Sequence, residues 1–285
     1  MNEGGYWRGQ IALLTAITVG IGTRTSMAQE VGDTPSHTVS ASAHGPAMQL
    51  AVGTPARKNA SSGHANGSCL TDHDRELLTD FGGLTHYEAA NTVLSSPAPG
   101  ENRVVFIGDS ITESWKIEGP DGTFPGKPYI NRGIGGQTTP QMLVRFRQDV
   151  IELQPTVVVI MGGTNDIAGN TGHMTLEQIE NNLASMADLA TEHGIRVVLC
   201  SVTPTVDYPW NHGLNPVPTI IALNTWIKNY AAQKGYVYVD YYSALRDEHG
   251  GLPPLLSKDG VHPLPTGFAI MAPLAEAGIE KALAR

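Results

Sequence analysis

Cysteines and aromatic residues are scarce in this sequence of 285 residues, and positive charge is outweighed by negative charge. The two cysteines, Cys69 and Cys200, allow one disulfide at most. That pairing stays open, because Cys200 ends a strand-like run and suits a buried hydrophobic position equally well. The net charge of -9 and the lack of a basic stripe argue against a nucleic-acid partner. Hydrophobic residues make up 41%, which is enough for a sizeable core.

A long hydrophobic run is also missing. The apolar stretch at 11–21 is too short to span a bilayer comfortably, so no stable membrane span is expected. It follows Arg8 and precedes Ser26-Met27-Ala28, which is the pattern of a signal peptide over residues 1–28. An uncleaved anchor or a chance apolar patch is the alternative. We expect a secreted or periplasmic protein.

Residues 29–68 lack apolar periodicity and are rich in small and polar residues, which predicts a disordered linker. The histidines of this segment are widely spaced, so a solvated tail is favoured over a metal site. A helical pattern from Leu70 to about Leu94 predicts a leading helix. One domain, residues 69–285, accounts for the rest of the chain.

The core of the chain alternates strand and helix patterns, which predicts a parallel sheet in a three-layer α/β sandwich. The strands are expected at 103–108, 129–132, 157–161, 196–202 and 236–240. The helices are expected to start at 110 and to cover 140–153, 176–193, 217–234 and 265–284.

Several catalytic and cofactor patterns are absent. The glycines at 133–136 lack the third small residue of a dinucleotide fingerprint, where Thr138 stands, so no nucleotide cofactor is expected. The nucleophile elbow G-x-S-x-G is missing as well, which disfavours an α/β-hydrolase. His and carboxylate residues do not cluster, so no metal and no other cofactor is expected.

The sequence does contain the parts of a serine hydrolase. Ser110 follows a buried strand pattern and begins a helix, at the carboxyl end of a strand, where open α/β sheets bind ligands. His262 precedes Pro263 in a turn, and Asp259 is three residues earlier. That spacing lets the carboxylate accept from one imidazole nitrogen and leaves the other as a base for a serine, so we predict Ser110, His262 and Asp259 as catalytic residues.

Two further residues are candidates for the oxyanion hole beside the N–H of Ser110. Gly136 offers a backbone N–H in a glycine-rich turn, and Asn165 offers a side-chain amide after a strand. A plain tight turn and a helix N-cap are the respective alternatives. Asp109 and Asp166 are expected to hold loops through hydrogen bonds to backbone N–H groups rather than to react.

Two tryptophans are candidates for substrate contacts. Trp115, about one helical turn beyond the serine, suits the wall of an acyl pocket or a core position. Trp210 lies in a long aromatic loop after the fourth strand, and such loops often determine specificity. We predict that Trp210 stacks on a sugar or an acyl group.

The motifs Gly108-Asp109-Ser110, Gly136, Asn165 and Asp259-x-x-His262, in this order, resemble the SGNH hydrolases, also called the GDSL esterase/lipase family. The resemblance covers about residues 103–270 and is greatest to the bacterial branch of platelet-activating-factor acetylhydrolase-like and lysophospholipase L1-like esterases. It implies a flavodoxin-like five-stranded sheet of order 2-1-3-4-5. It also implies the roles assigned above to the triad and to the three oxyanion donors.

The expected function is a secreted serine esterase that hydrolyses short-acyl carboxylic esters, with carbohydrate acetyl esters as an open class. The partner is a small-molecule or polysaccharide ester, and the sequence does not give the oligomeric state. A lysophospholipase or thioesterase with the same triad is one alternative. A non-catalytic carbohydrate-binding module on the same scaffold is the other.

Overall fold

A computed structural model describes residues 70–285. The predicted signal peptide, the predicted linker and Cys69 lie outside the described residues. Cys200 is a buried free thiol.

The described part of the chain alternates strands and helices as the sequence predicts. The strands are β1 (Val104–Gly108), β2 (Tyr129–Gly133), β3 (Val157–Ile160), β4 (Arg196–Cys200) and β5 (Val237–Val239). The helices are α1 (Asp72–Thr79), α2 (Glu88–Val93), α3 (Ser110–Ser114), α4 (Thr139–Asp149), α5 (Thr164–Ala168), α6 (Leu176–Glu192), α7 (Val217–Lys234), α8 (Tyr241–Leu245) and α9 (Pro265–Leu283).

The five strands form one parallel sheet of order β2-β1-β3-β4-β5, as the family resemblance implies. Every residue of β1 and β3 is buried, because both lie between neighbouring strands and are covered on both faces. Alternate residues point to opposite faces. Val105 and Ile107 pack with the apolar sides of α4, α6 and α7, whereas Val104 and Phe106 pack with α3, α8 and α9. The molecule is therefore a three-layer α/β/α sandwich.

The helix boundaries follow local signals. α7 begins at Val217 next to Pro218 and ends before Gly235, whose φ of 75° is left-handed. α4 begins one residue earlier than predicted, because Thr138 and Gln141 form a capping box. It also ends earlier, at Asp149, and a separate 3₁₀ turn covers Ile151–Leu153.

The leading segment differs from the prediction, because its helical pattern is interrupted. Residues 80–87 form turns between α1 and α2, and Gly83 has a φ of 66°. The turn packs against α4: the Gln141 side chain donates to the Phe81 carbonyl at 2.9 Å, and the Gln148 side chain donates to that of Leu84 at 2.6 Å. These side chains satisfy carbonyls that a continuous helix would have bonded internally.

Candidate active site

Ser110 stands where β1 turns into α3, at the carboxyl edge of the sheet. The preceding Asp109 caps α3, since its carboxylate accepts from the Ile111 N–H at 3.0 Å. Gly108 makes the tight exit from β1 possible: a Cβ there would stand 2.0 Å from the Thr112 hydroxyl oxygen. The local sequence thus places a half-buried hydroxyl at the rim.

The three residues predicted as catalytic lie together in one hydrogen-bonded chain. Ser110 Oγ is 2.9 Å from His262 Nε2, across 152 residues of sequence. His262 Nδ1 is 2.6 Å from Asp259 Oδ2. An ionised carboxylate can only accept hydrogen bonds, so Nδ1 carries the proton and Nε2 is left as an acceptor towards the serine.

The carboxylate of Asp259 is held by its own turn. Its Oδ1 accepts from the backbone N–H groups of Val261 and His262 at 3.0 and 2.9 Å, and from the Ser257 hydroxyl at 3.0 Å. Partial burial alone would raise the pKa of Asp259, but the His262 and Val261 backbone N–H groups and the imidazole together hold the pKa well below its usual range. The carboxylate therefore stays ionised beside the imidazole.

Gly136 and Asn165 lie on the other side of the serine. Gly136 has a φ of 73°, which favours glycine, and among residues 70–285 its N–H has no protein acceptor. The buried Asn165 amide uses one N–H on the Gln137 carbonyl at 3.0 Å, and its second N–H has no acceptor within the described chain. Both groups are free to donate to a substrate.

Asp109 and Asp166 are buried, and both accept hydrogen bonds from backbone N–H groups. The carboxylate of Asp166 accepts from the N–H of Thr139 at 3.0 Å and from its hydroxyl at 2.5 Å, which ties α5 to the start of α4. Burial raises the pKa of each carboxyl to about 6, although the hydrogen bonds oppose that shift.

The two predicted tryptophans occupy different environments. Trp115 is 2% exposed and packs against Phe106, Phe124 and Phe268, so its placement is that of a core residue. Trp210 is 46% exposed, and its ring centroid lies 6.1 Å from that of His262. Of the two, Trp210 is the one at the mouth of the site.

Sequence reasoning missed Arg145, a fully buried side chain beneath the site. Its guanidinium donates to the carbonyls of Gly108 and Arg132 at 2.9 and 2.8 Å and to the Gln137 side chain at 2.6 Å. It also pairs with Asp149 at 3.1 Å, one turn along α4. An arginine and an aspartate four residues apart on the apolar face of a helix would have signalled this buried pair.

Sequence reasoning also missed Asn170. Its side-chain amide contacts Gly136, Asn165 and Trp210. The only local signal was its position directly after Gly169, which ends α5.

Among residues 70–285 no group of three or more His, Cys, Asp or Glu side chains is placed to hold a metal ion. Within the same residues no helix is both long and apolar enough to cross a membrane.

Comparison with known proteins settles the family. Residues 106–270 match the model of the GDSL-like lipase/acylhydrolase family, and this stretch contains every residue discussed at the site. This chain belongs to that family. A GDSL-like lipase of Bacteroides thetaiotaomicron superposes with a TM-score of 0.68 at 43% identity, covering 71% of this chain and all of that one.

The relatives of this chain include two esterases. Esterase TesA of Pseudomonas aeruginosa is 27% identical over 192 residues, 63% of this chain and 83% of that protein. An acetylxylan esterase of Geobacillus stearothermophilus is 28% identical over 212 residues, 62% of this chain and 94% of that protein. Lipoprotein YqeF of Bacillus subtilis is 34% identical, but over 88 residues, 30% of this chain and 36% of that protein. This member of the GDSL-like family is a carboxylic ester hydrolase.

Proposed function

We propose that this hydrolase is a secreted serine esterase for short-acyl esters, in which Ser110 is the nucleophile, His262 the general base and Asp259 the residue that orients the imidazole. The observation that carries the proposal is the hydrogen-bonded chain from Ser110 Oγ to His262 at 2.9 Å and from His262 to Asp259 at 2.6 Å. These distances match those expected of a nucleophile, a base and its orienting group.

The reaction proceeds through an acyl-enzyme. Ser110 Oγ attacks the ester carbonyl while His262 Nε2 takes the hydroxyl proton and then gives it to the leaving alkoxide. Water, deprotonated by the same nitrogen, attacks the acyl-enzyme, and His262 then returns the proton to Ser110 Oγ as the acid leaves. The N–H groups of Ser110, Gly136 and Asn165 stabilise the oxyanion of each tetrahedral intermediate, and each such donor is typically worth about 3 kcal/mol.

The proposed substrates are short-acyl esters, with carbohydrate acetyl esters included. Two observations support this choice. The acetylxylan esterase relative aligns over most of its length. The exposed indole of Trp210 beside His262 offers a flat apolar surface of the kind on which a sugar ring or an acyl group stacks.

The proposal that the protein is secreted depends on the sequence. The signal-peptide pattern of residues 1–28 carries this part of the proposal. The similarity to lipoprotein YqeF supports a location outside the cytoplasm.

The direct test replaces the nucleophile. We expect Ser110→Ala to lower kcat for p-nitrophenyl acetate at least about a thousandfold, because the triad acts as a unit. Ser114→Ala is the matched control: the residue lies one turn along the same helix, is exposed, and has no part in the hydrogen-bonded chain. A fluorophosphonate probe should label the wild type and the control but not Ser110→Ala. Equal rates for the wild type and Ser110→Ala would overturn the proposal.

A further inference from the structure

Asn170 lies beside the predicted oxyanion hole because of how α5 ends. Gly169, with a φ of 78°, turns the chain back. The backbone N–H of Asn170 then donates to the Asn165 carbonyl at 3.0 Å, and that of Gly169 donates to the Asp166 carbonyl at 3.0 Å. This pair of bonds is a Schellman motif, and it needs a residue that tolerates the left-handed conformation.

The side-chain amide of Asn170 then makes three hydrogen bonds. Its Nδ2 donates to the Gly136 carbonyl and to Asn165 Oδ1, both at 3.0 Å. Its Oδ1 accepts from the indole N–H of Trp210 at 2.9 Å. An indole nitrogen only donates and the Gly136 carbonyl only accepts, so these two partners fix the orientation of the Asn170 amide.

This orientation reinforces that of Asn165, whose Nδ2 also donates to the Gln137 carbonyl. With Asn165 Oδ1 taken by Asn170, the Asn165 Nδ2 group faces the other way, where it donates to the Gln137 carbonyl. The opposite orientation would set Asn165 Oδ1 against the Gln137 carbonyl oxygen and Nδ2 against another donor. Asn170 and the Gln137 carbonyl therefore fix together which atom of Asn165 is available as a donor.

We propose that Asn170 is a positioning residue that orients Asn165 and Gly136 as oxyanion donors and joins them to the Trp210 indole at the mouth of the site. The inference rests on the proposed function, since it assigns how that oxyanion hole is held. It also links the Trp210 indole to the oxyanion donors, because the indole contacts Asn170, and Asn170 contacts Gly136 and Asn165.

The test uses two substitutions of Asn170. Asn170→Asp has the same shape and still accepts from Trp210, but it turns a carboxylate oxygen towards the oxygens of Gly136 and Asn165. Asn170→Ala removes all three bonds. Both should lower kcat for p-nitrophenyl acetate about tenfold to a hundredfold with KM changed less than about twofold, because a misplaced donor acts in the transition state.

Asn211→Ala is the matched control. Its amide also anchors this region, by donating to the Ala168 carbonyl at 2.8 Å, but it has no bond to Gly136 or Asn165. It should keep kcat within about threefold at a similar loss of thermal stability. If Asn211→Ala lowers kcat as much as Asn170→Ala, the effect is structural and the proposal fails.

Trp210→Phe tests the link to the loop. The ring is kept and the N–H is lost, so kcat should fall severalfold in the wild type but hardly at all in the Asn170→Ala background, because the bond is already absent there. Additive effects would contradict the link. An Asn170→Asp enzyme with wild-type kcat, in a protein whose Ser110→Ala variant is inactive, would overturn the positioning role and leave the proposed function standing.

Discussion

The buried carboxyl of Asp166 makes the stability of the protein depend on pH. Its carboxyl has a pKa raised to about 6 by burial, above the value of about 3.9 expected in the unfolded chain. A group with a raised folded-state pKa binds its proton more tightly in the folded protein. Its ionisation therefore costs stability as pH rises from about 4 to about 6, and the cost is complete above that range.

We expect Asp166→Asn to lose this dependence. The amide does not titrate, yet its oxygen still accepts from Thr139. As pH falls from about 7 to about 4.5, the free energy of unfolding of the wild type should therefore rise relative to that of the variant by on the order of 2 kcal/mol. Urea unfolding at both pH values measures the difference.

Asp188→Asn serves as the control, because Asp188 is an exposed carboxylate on α6. Its urea unfolding at both pH values is compared with that of the wild type. Parallel curves for the wild type and Asp166→Asn would contradict a perturbed Asp166.

The part of the site that spacing alone could indicate is the local pair of Asp259 and His262. Asp259 and His262 are three residues apart, and their interaction could be expected from spacing alone. Asn170 is different, because its partners lie 34, 5 and 40 residues away. The carboxyl edge where these partners meet could be predicted, but the side chain that joins them could not.

At the scale of elements, a glycine sets the closest approach between β2 and α3. A Cβ on Gly133 would stand 2.1 Å from the Glu113 backbone nitrogen, so α3 and Ser110 with it would have to move. We expect Gly133→Ala to lower the free energy of unfolding by about 1–3 kcal/mol or more, and to lower activity as well. Chemical denaturation measures the first effect.

The neighbouring Gly135 provides the control. A Cβ there would meet the Glu113 carboxylate at 2.9 Å, which is the far end of a flexible side chain. Gly135→Ala should therefore cost less than about 1 kcal/mol of stability. If both variants lose the same stability, crowding between β2 and α3 is not the cause.

Helices whose ends are marked by proline or glycine could be predicted almost to the residue. Prolines and Gly235 bound α7 at the residues expected. The leading segment was harder to predict, because its apolar spacing continues through residues 80–87, where the structure has turns. There, Asp80 accepts from the N–H groups of Leu84 and Thr85, and the turn packs on α4. These local bonds and the bonds to α4 outweigh a weak helical preference.

At the scale of the whole molecule, the sheet brings distant parts of the chain to one rim. β1 lies between β2 and β3, so the turn after β1 faces the turns after its neighbours, and the segment between α8 and α9 places His262 at the same edge. The order of strands, more than any one motif, makes a serine and a histidine 152 residues apart neighbours.

The charge of the whole molecule predicts a preference among substrates. The net charge is -9, and partly exposed carboxylates lie near the nucleophile, with Glu113 on the helix of Ser110 and Asp259 beside His262. Such a field repels anionic substrates and attracts cationic ones, and salt weakens it as the Debye length falls from about 30 Å at 0.01 M to about 10 Å at 0.1 M.

We therefore expect opposite salt responses from substrates of opposite charge. Between about 10 and 300 mM salt, kcat/KM should rise severalfold for acetyl-coenzyme A, which is anionic, and fall for acetylthiocholine, which is cationic. Neutral p-nitrophenyl acetate is the control and should change less than about twofold. Because the field acts on encounter, kcat should change little for any of the three. A common response to salt would mean that the enzyme itself, and not its field, changes with ionic strength.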